Sequence, residues 1–273
     1  MFLKIENGGR KMYGAIIGDL AGSIYEFAQT KRVFPVSTNY LIEESSFYSD
    51  DTILTIAILD ALLQDGDYEK YIRKYMQEYM DYKPDYKPYF KSPFSPGLIK
   101  WYQGNTTGNS KGNGAMMRIS AIGYLCTNEQ DVINQARLAT VPTHNSEEAI
   151  HAAQIVARII YYGNLGMTKQ EIMTKMGISI TYQPFDKFNT TCNETLPNCL
   201  YALFSSNNFE EAVKKSISFG GDTDTNACIV GSMAEALYGV DSNLILSAQK
   251  KIPQEFCDVL EKGYCKVKKK TIF

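Results

Sequence analysis

The chain has 273 residues, 44% of them hydrophobic, with a formal net charge of −2 and only two histidines, which suits one large or two small domains with a full core. Lysines spread along a near-neutral chain disfavour a general nucleic-acid or anionic-membrane binder, and two histidines are too few for a typical zinc site. Six scattered cysteines with no CxxC pair and no signal-peptide pattern read as reduced thiols in a cytoplasmic protein, and no apolar run reaches the roughly 18–20 residues of a membrane span.

In chain order, residues 1–11 read as a peripheral N-terminal arm ahead of an alternative start at Met12. In "YGAIIGDLAGSIYE" (13–26) the small and apolar residues Gly14, Ile17, Gly18, Ala21, Gly22 and Tyr25 recur three and four apart. This predicts a helix whose glycines admit a neighbouring backbone and whose C-terminal end carries Glu26. "SDDTILTIAILDALLQ" (49–64) predicts an almost wholly apolar helix opening on acidic caps, and "DYEKYIRKYMQEYMDY" (67–82) an amphipathic one. From about 83 to 113 Pro, Gly, Ser and aromatic residues dominate, and a loop of that length is usually functional. Tyr89, Trp101 and Tyr102 within it are either adenine-stacking groups or anchors of loop and core. Helical patterns return at 114–125, 129–139, 145–162, 168–176, 195–206, 209–217, 224–238 and 253–263, while "ISITYQPF" (178–185) and the extreme N-terminus look strand-like. With no linker composition and no repeat, the expectation is a single compact all-α domain over 12–273.

Three acidic spots stand out: Glu26, Ser49-Asp50-Asp51-Thr52 and Asp222-Thr223-Asp224-Thr225. One side-chain oxygen at an N-cap satisfies one orphan N–H, and a carboxylate there contributes about 0.3–1 kcal/mol through the helix dipole. Capping therefore accounts for one residue per helix, not four. A hard cation takes several oxygens from different chain segments, and carboxylate and hydroxyl donors without thiolate or paired histidine point to Mg²⁺, Mn²⁺ or Ca²⁺. Ser49, Asp50, Asp51, Asp222, Asp224 and Thr225 supply four carboxylates and two hydroxyls, enough for two ions. Gly112-Asn113-Gly114, ahead of an apolar helix pattern, is either turn punctuation or a cradle of free N–H groups for phosphate. His144 is a packing or capping residue unless it faces substrate, and Arg118 is expected in a structural salt bridge.

"YGAIIGDLAGSIYE", "YSDDTILTIAILDAL", "SKGNGAMMRISAIG", "PTHNSEEAIHAA" and "FEEAVKKSISFGGDTDTNACIVGSMAEALYG" follow one another in the order and approximate spacing of the ADP-ribosylglycohydrolases. Residues 12 to about 240 resemble that family. The resemblance implies an all-helical fold with a dinuclear Mg²⁺ or Mn²⁺ centre at helix N-termini, which hydrolyses the bond between an acceptor and the anomeric carbon of ADP-ribose with a metal-activated water. It implies Ser49, Asp50, Asp51, Asp222, Asp224 and Thr225 as metal ligands and Glu26 near the metals and the distal ribose. It also implies Ser110, Gly112, Asn113 and Gly114 as the phosphate and ribose loop, with His144 on the substrate side. Many members carry threonine where this chain has Ser49; the hydroxyl is kept and the stiffness of a branched side chain is lost. The stretch 83–103 and everything after about 240 align with none of these motifs.

Cleavage at the ribose passes through an oxocarbenium-like transition state, so Asp51 or Glu26 is expected to act as general base and the other to assist the leaving group. The expected partner is the ADP-ribose moiety of a modified protein or small molecule, with an arginine-linked N-glycosidic bond first. Alternatives are an O-linked substrate (serine-linked or O-acetyl-ADP-ribose), a catalytically silent ADP-ribose-binding relative, and a Mg²⁺ phosphohydrolase. A cytoplasmic monomer without nucleic-acid or membrane partners is expected.

Overall fold

The computed structural model describes residues 12–26, 37–84 and 92–271, with side chains as far as Val267. The N-terminal arm, the strand-like start of the chain and Tyr89 lie outside the described residues. All regular structure among the described residues is helical: α1 (Gly14–Glu26), α2 (Asp50–Leu63), α3 (Tyr68–Tyr79), α4 (Pro96–Tyr102), α5 (Gly114–Met117), α6 (Ser120–Leu125), α7 (Glu129–His144), α8 (Glu147–Asn164), α9 (Lys169–Met176), α10 (Cys192–Phe204), α11 (Phe209–Ser218), α12 (Thr223–Tyr238), α13 (Ser242–Gln249) and α14 (Gln254–Thr271).

At the centre lies α12, buried from Thr223 to Ala236, with α1, α8, α10 and α11 around it. The glycine spacing of α1 sets the closest contact. A methyl group on Gly14, Gly18 or Gly22 would overlap the carbonyl oxygen of Gly231, Ala227 or Thr223, respectively. The first series rises as the second falls, so the helices are antiparallel with their backbones touching. That register carries the C-terminal end of α1, and with it Glu26, to the first turn of α12. At the opposite end the buried Glu235 carboxylate accepts the backbone N–H groups of Met12 (2.9 Å) and Gly14 (2.5 Å), satisfying donors that a helix start leaves open. The second buried helix, α2, packs between α3 and α14 and against α1.

Several elements differ from the sequence expectation. The stretch 114–125 is two short helices, because Arg118 and Ile119 leave the α-helical run. The helix expected to stop at 139 runs through Pro142 to His144. Two further helices differ from expectation, one inside the 83–113 stretch expected to be a loop and one in sequence with no predicted element. The first, α4, is capped by Ser95, whose hydroxyl accepts from Leu98 N, with Pro96 at the first helical position; the second, α13, is capped by Asp241. The strand-like 178–185 forms no strand. Its exposure alternates, yet at Gln183 the backbone pairs with a side chain instead of a second strand: Gln183 N donates to Asn198 Oδ1 (2.9 Å), and Asn198 Nδ2 donates to Gln183 O (2.6 Å).

Candidate active site

A cavity of about 710 Å³ opens where the N-termini of α2 and α12 meet the C-terminal end of α1. Its wall includes Glu26, Ser49, Asp50, Asp51, Asp222, Asp224 and Thr225 from these helices, and Ser110, Gly112, Asn113, Gly114 and His144 from the opposite side. Residues distant in sequence thus converge on one space. Two sets of three carboxylates each bring oxygens within 4.8 Å of one another: Asp19, Asp51 and Asp224, and Glu26, Asp222 and Asp224. Asp224 belongs to both, and Asp50 lies on the wall outside both.

Local contacts separate capping from other work. Ser49 caps α2, accepting from Asp51 N at 3.1 Å. Asp222 occupies the N-cap position of α12 with no side-chain capping bond; its Oδ2 accepts from Asn113 Nδ2 (2.7 Å), and its backbone N–H donates to Asn189 Oδ1 (2.9 Å). Thr223 Oγ1 crosses to α1 and donates to Gly22 O (2.9 Å), while Thr225 Oγ1 donates to Asp51 Oδ2 (3.1 Å), joining the two acidic helix starts. Gly220 and Gly221 turn the chain into α12 with φ of 74° and 70°, a region other residues rarely adopt.

The opposite wall is tied down by backbone bonds. Ser110 N donates to Thr143 O (3.2 Å), Asn113 N to Thr190 O (2.9 Å) and Cys192 N to Lys111 O (2.9 Å). His144 is buried, its Nδ1 lies 2.7 Å from Thr143 Oγ1, and its Nε2 faces Gly112 and Gly114, where an added Cβ would sit 3.3 Å and 3.5 Å away. Burial, and then the nearby Arg118 charge, push the imidazole well below its usual range, so it is neutral. Arg118 is not the salt-bridge residue expected. It is fully buried with no ion pair among the described residues; one terminal nitrogen donates to Thr143 Oγ1 (2.6 Å) and Ala139 O (3.3 Å), and Nε and the other terminal nitrogen have no hydrogen-bond partner. Trp101 is a buried anchor with the Arg73 guanidinium 4.1 Å over its ring; it also lines a side cavity of about 220 Å³ shared with Ser110 and His144.

Burial is the first cause raising every carboxyl here, and mutual repulsion adds to it at Glu26, Asp50, Asp51, Asp222 and Asp224. Asp50 and Asp222 are pushed up to about 7, the former also by Asp19 and the latter by Glu26. Asp51, Asp224 and Glu26 lie well above their usual range, with Asp224 the next cause for Asp51 and Glu26, and Asp222 for Asp224. Such crowding is unfavourable for ionised carboxylates unless a cation compensates. Asp51 Oδ1 is moreover buried with no hydrogen-bond partner, and the converging donors are oxygens. The residues fit a hard divalent cation.

Carboxyls raised in the folded state favour folding at acid pH and oppose it as pH rises through their folded pKa, here about 7 for Asp50 and Asp222. Without divalent cation, the melting temperature is expected to fall between about pH 5 and about pH 8. Mg²⁺ or Mn²⁺ should restore it, with the larger gain at the higher pH, since binding requires ionised ligands. Melting curves over this range with and without cation check the point; a cation effect larger at acid pH would contradict it.

Two buried polar residues at the site were not singled out in the sequence. Asp19 sits inside the apolar α1 pattern, and a carboxylate on an otherwise apolar stripe was the available signal. Asn189, which holds Asp222 N and donates to Thr195 Oγ1 (2.8 Å) and Asn226 Oδ1 (2.9 Å), stands in a polar loop with nothing local to distinguish it.

The sequence profile of the ADP-ribosylglycohydrolase family matches residues 11–270, so the likeness runs on past residue 240, where the motifs stop. The chain belongs to this family. Its relatives include the ADP-ribosylarginine hydrolase Tri1 of Pseudomonas putida (strain GB-1), 24% identical over 84% of this chain and 70% of that protein, and the ADP-ribosylhydrolase ARH3 of Homo sapiens, 22% identical over 84% of each. A solved structure described as an ADP-ribosylglycohydrolase-related protein complex superposes with a TM-score of 0.69 at 19% identity, covering 94% of this chain and 98% of that one, so the helical fold is shared. As a family member the chain is a hydrolase of glycosyl bonds.

Proposed function

We propose that this ADP-ribosyl glycohydrolase depends on divalent cations, two Mg²⁺ or Mn²⁺ ions, and that its first substrate is arginine-linked ADP-ribose on a protein. The observation that carries the cation reading is the pair of carboxylate triads sharing Asp224, with an orphaned buried Asp51 oxygen. Support for the linkage comes from the named activity of the Pseudomonas putida relative.

Asp50, Asp51, Asp222 and Asp224, with the Ser49 and Thr225 hydroxyls, would hold the cations, which when bound supply Lewis-acid stabilisation of oxygen ligands. The remaining steps belong to the chain's own residues. Ser110, Gly112 and Gly114 face the cavity as a platform for the pyrophosphate, with the Lys111 cation also in the lining and neutral His144 beside the two glycines. Asn113 works from within, since its side-chain amide holds Asp222. Glu26 reaches the cavity from the end of α1 and is half-buried; Asp51 lies in its wall. Burial, and then the neighbouring Asp224, raise both carboxyls well above their usual range, which favours the protonated form that a general acid needs. One accepts the proton of the attacking water and the other protonates the leaving acceptor as the glycosidic bond opens. Residues 12–273 are read as the catalytic domain, acting as a cytoplasmic monomer.

Incubation with Mn²⁺ and ADP-ribosyl-arginine protein, ADP-ribosyl-serine peptide or O-acetyl-ADP-ribose separates the readings. Free, intact ADP-ribose is expected, fastest from the arginine linkage. Faster release from an O-linked substrate would overturn the linkage, release of AMP or phosphate would make the protein a phosphohydrolase, and no turnover of any substrate with cation bound would leave a silent binding module.

A further inference from the structure

Asp19 completes one of the two carboxylate triads but is not among the ligands and substrate contacts named above, and it is fully buried. All four of its hydrogen-bond donors come from the first turn of α2. Oδ2 accepts from Ser49 N (2.9 Å), Thr52 N (3.0 Å) and Thr52 Oγ1 (2.5 Å), and Oδ1 accepts from Ser49 Oγ (2.9 Å). Three donors leave Oδ2 little to offer a cation, although the group is near enough to Asp51 and Asp224 to be counted with them.

The Ser49 hydroxyl is the point of decision. Its oxygen is 2.9 Å from Asp19 Oδ1 and 3.1 Å from Asp51 Oδ2, and it accepts from Asp51 N. A hydroxyl has one proton and two lone pairs. With the proton on the Asp51 side, it occupies an oxygen that a cation would use. With the proton on the Asp19 side, Asp51 Oδ2 keeps only the Thr225 hydroxyl bond, and the second Ser49 lone pair is open to the cavity.

We infer that Asp19 is a positioning residue that takes the Ser49 hydroxyl bond and so preorganises the start of α2 for a divalent cation. A partner that orients a metal ligand from behind typically accounts for about 10- to 100-fold in affinity. The role matters more for serine than for threonine, whose branched side chain restricts its own rotamer. This inference rests on the cation reading of the site.

The test is Mn²⁺ titration calorimetry on the wild-type protein, Asp19→Asn, Ser49→Ala and the double variant, with folding checked by circular dichroism. Asp19→Asn should weaken Mn²⁺ binding by about 10- to 100-fold, and it should add nothing once Ser49 is alanine, a coupling that simple loss of packing would not produce. Asp19→Asn with Ser49→Thr should recover part of the loss. If Asp19→Asn does not fold, Thr52→Val removes one anchor of the Asp19 carboxylate; it should weaken Mn²⁺ binding severalfold with Ser49 present and not with Ser49→Ala. Additive losses, or unchanged affinity in the folded Asp19→Asn protein, or no coupling between Thr52→Val and Ser49→Ala, overturn the role of Asp19 alone. Absence of Mn²⁺ binding by the wild-type protein overturns the cation reading together with it.

Discussion

Asp224→Asn is expected to lower kcat/KM for ADP-ribose release by on the order of 10³-fold, the scale lost when one preorganised electrostatic group is removed from an active site. The reason is geometric: Asp224 is the carboxylate shared by both triads, so its loss damages both. The effect on stability should run the other way. Asp224 heads the charge repulsions that raise Asp51 and Glu26, after burial, and neutralising it relieves both. In cation-free buffer near pH 8, the variant is therefore expected to melt no lower than the wild-type protein, while losing most of the stabilisation given by Mn²⁺. Steady-state kinetics together with melting curves check both halves. Full activity, or a large loss of cation-free stability, would contradict the assignment.

Gly18→Val should cost about 3 kcal/mol or more, the upper range for overpacking a core, and lower the melting temperature by roughly 10 °C for a chain of this size. A Cβ at this position would fall on the Ala227 carbonyl, and helix backbone cannot yield as the end of a flexible side chain can. Because Gly14 and Gly22 make the same kind of contact along the pair, the helices must separate as a unit. Separation draws Glu26 away from Asp222 and Asp224, so residual folded protein should also lose activity. Gly97→Ala is the control: nothing lies within 4 Å of its would-be Cβ, and a change within about 1 kcal/mol is expected from helix propensity. Urea denaturation of the two variants gives the comparison.

These two residues also show what could be read from sequence. The contact made by Gly18 was legible because small residues recur every fourth position, a spacing with one simple structural meaning. Both acidic clusters were legible because they hold more oxygens than capping uses: the Asp222 side chain makes no capping bond, and Thr223 bonds across to α1. What escaped were groups whose meaning depends on distant partners. Asp19 reads as one polar position in an apolar helix until the start of α2 is folded against it. Arg118 reads as an ordinary helix cation until the fold buries it against Thr143 and Ala139. The helix at Pro96–Tyr102 carried a proper start signal, Ser95 followed by Pro96, hidden in a segment whose overall composition is that of a loop.

The strongest direct test of a cation-dependent glycosyl hydrolase is the release of free ADP-ribose from ADP-ribosyl-arginine protein, measured after chelation and again after Mg²⁺ or Mn²⁺ is returned. The geometry predicts that release stops with chelator, resumes with cation and yields ADP-ribose with its pyrophosphate intact. Equal release in the presence of chelator would contradict it.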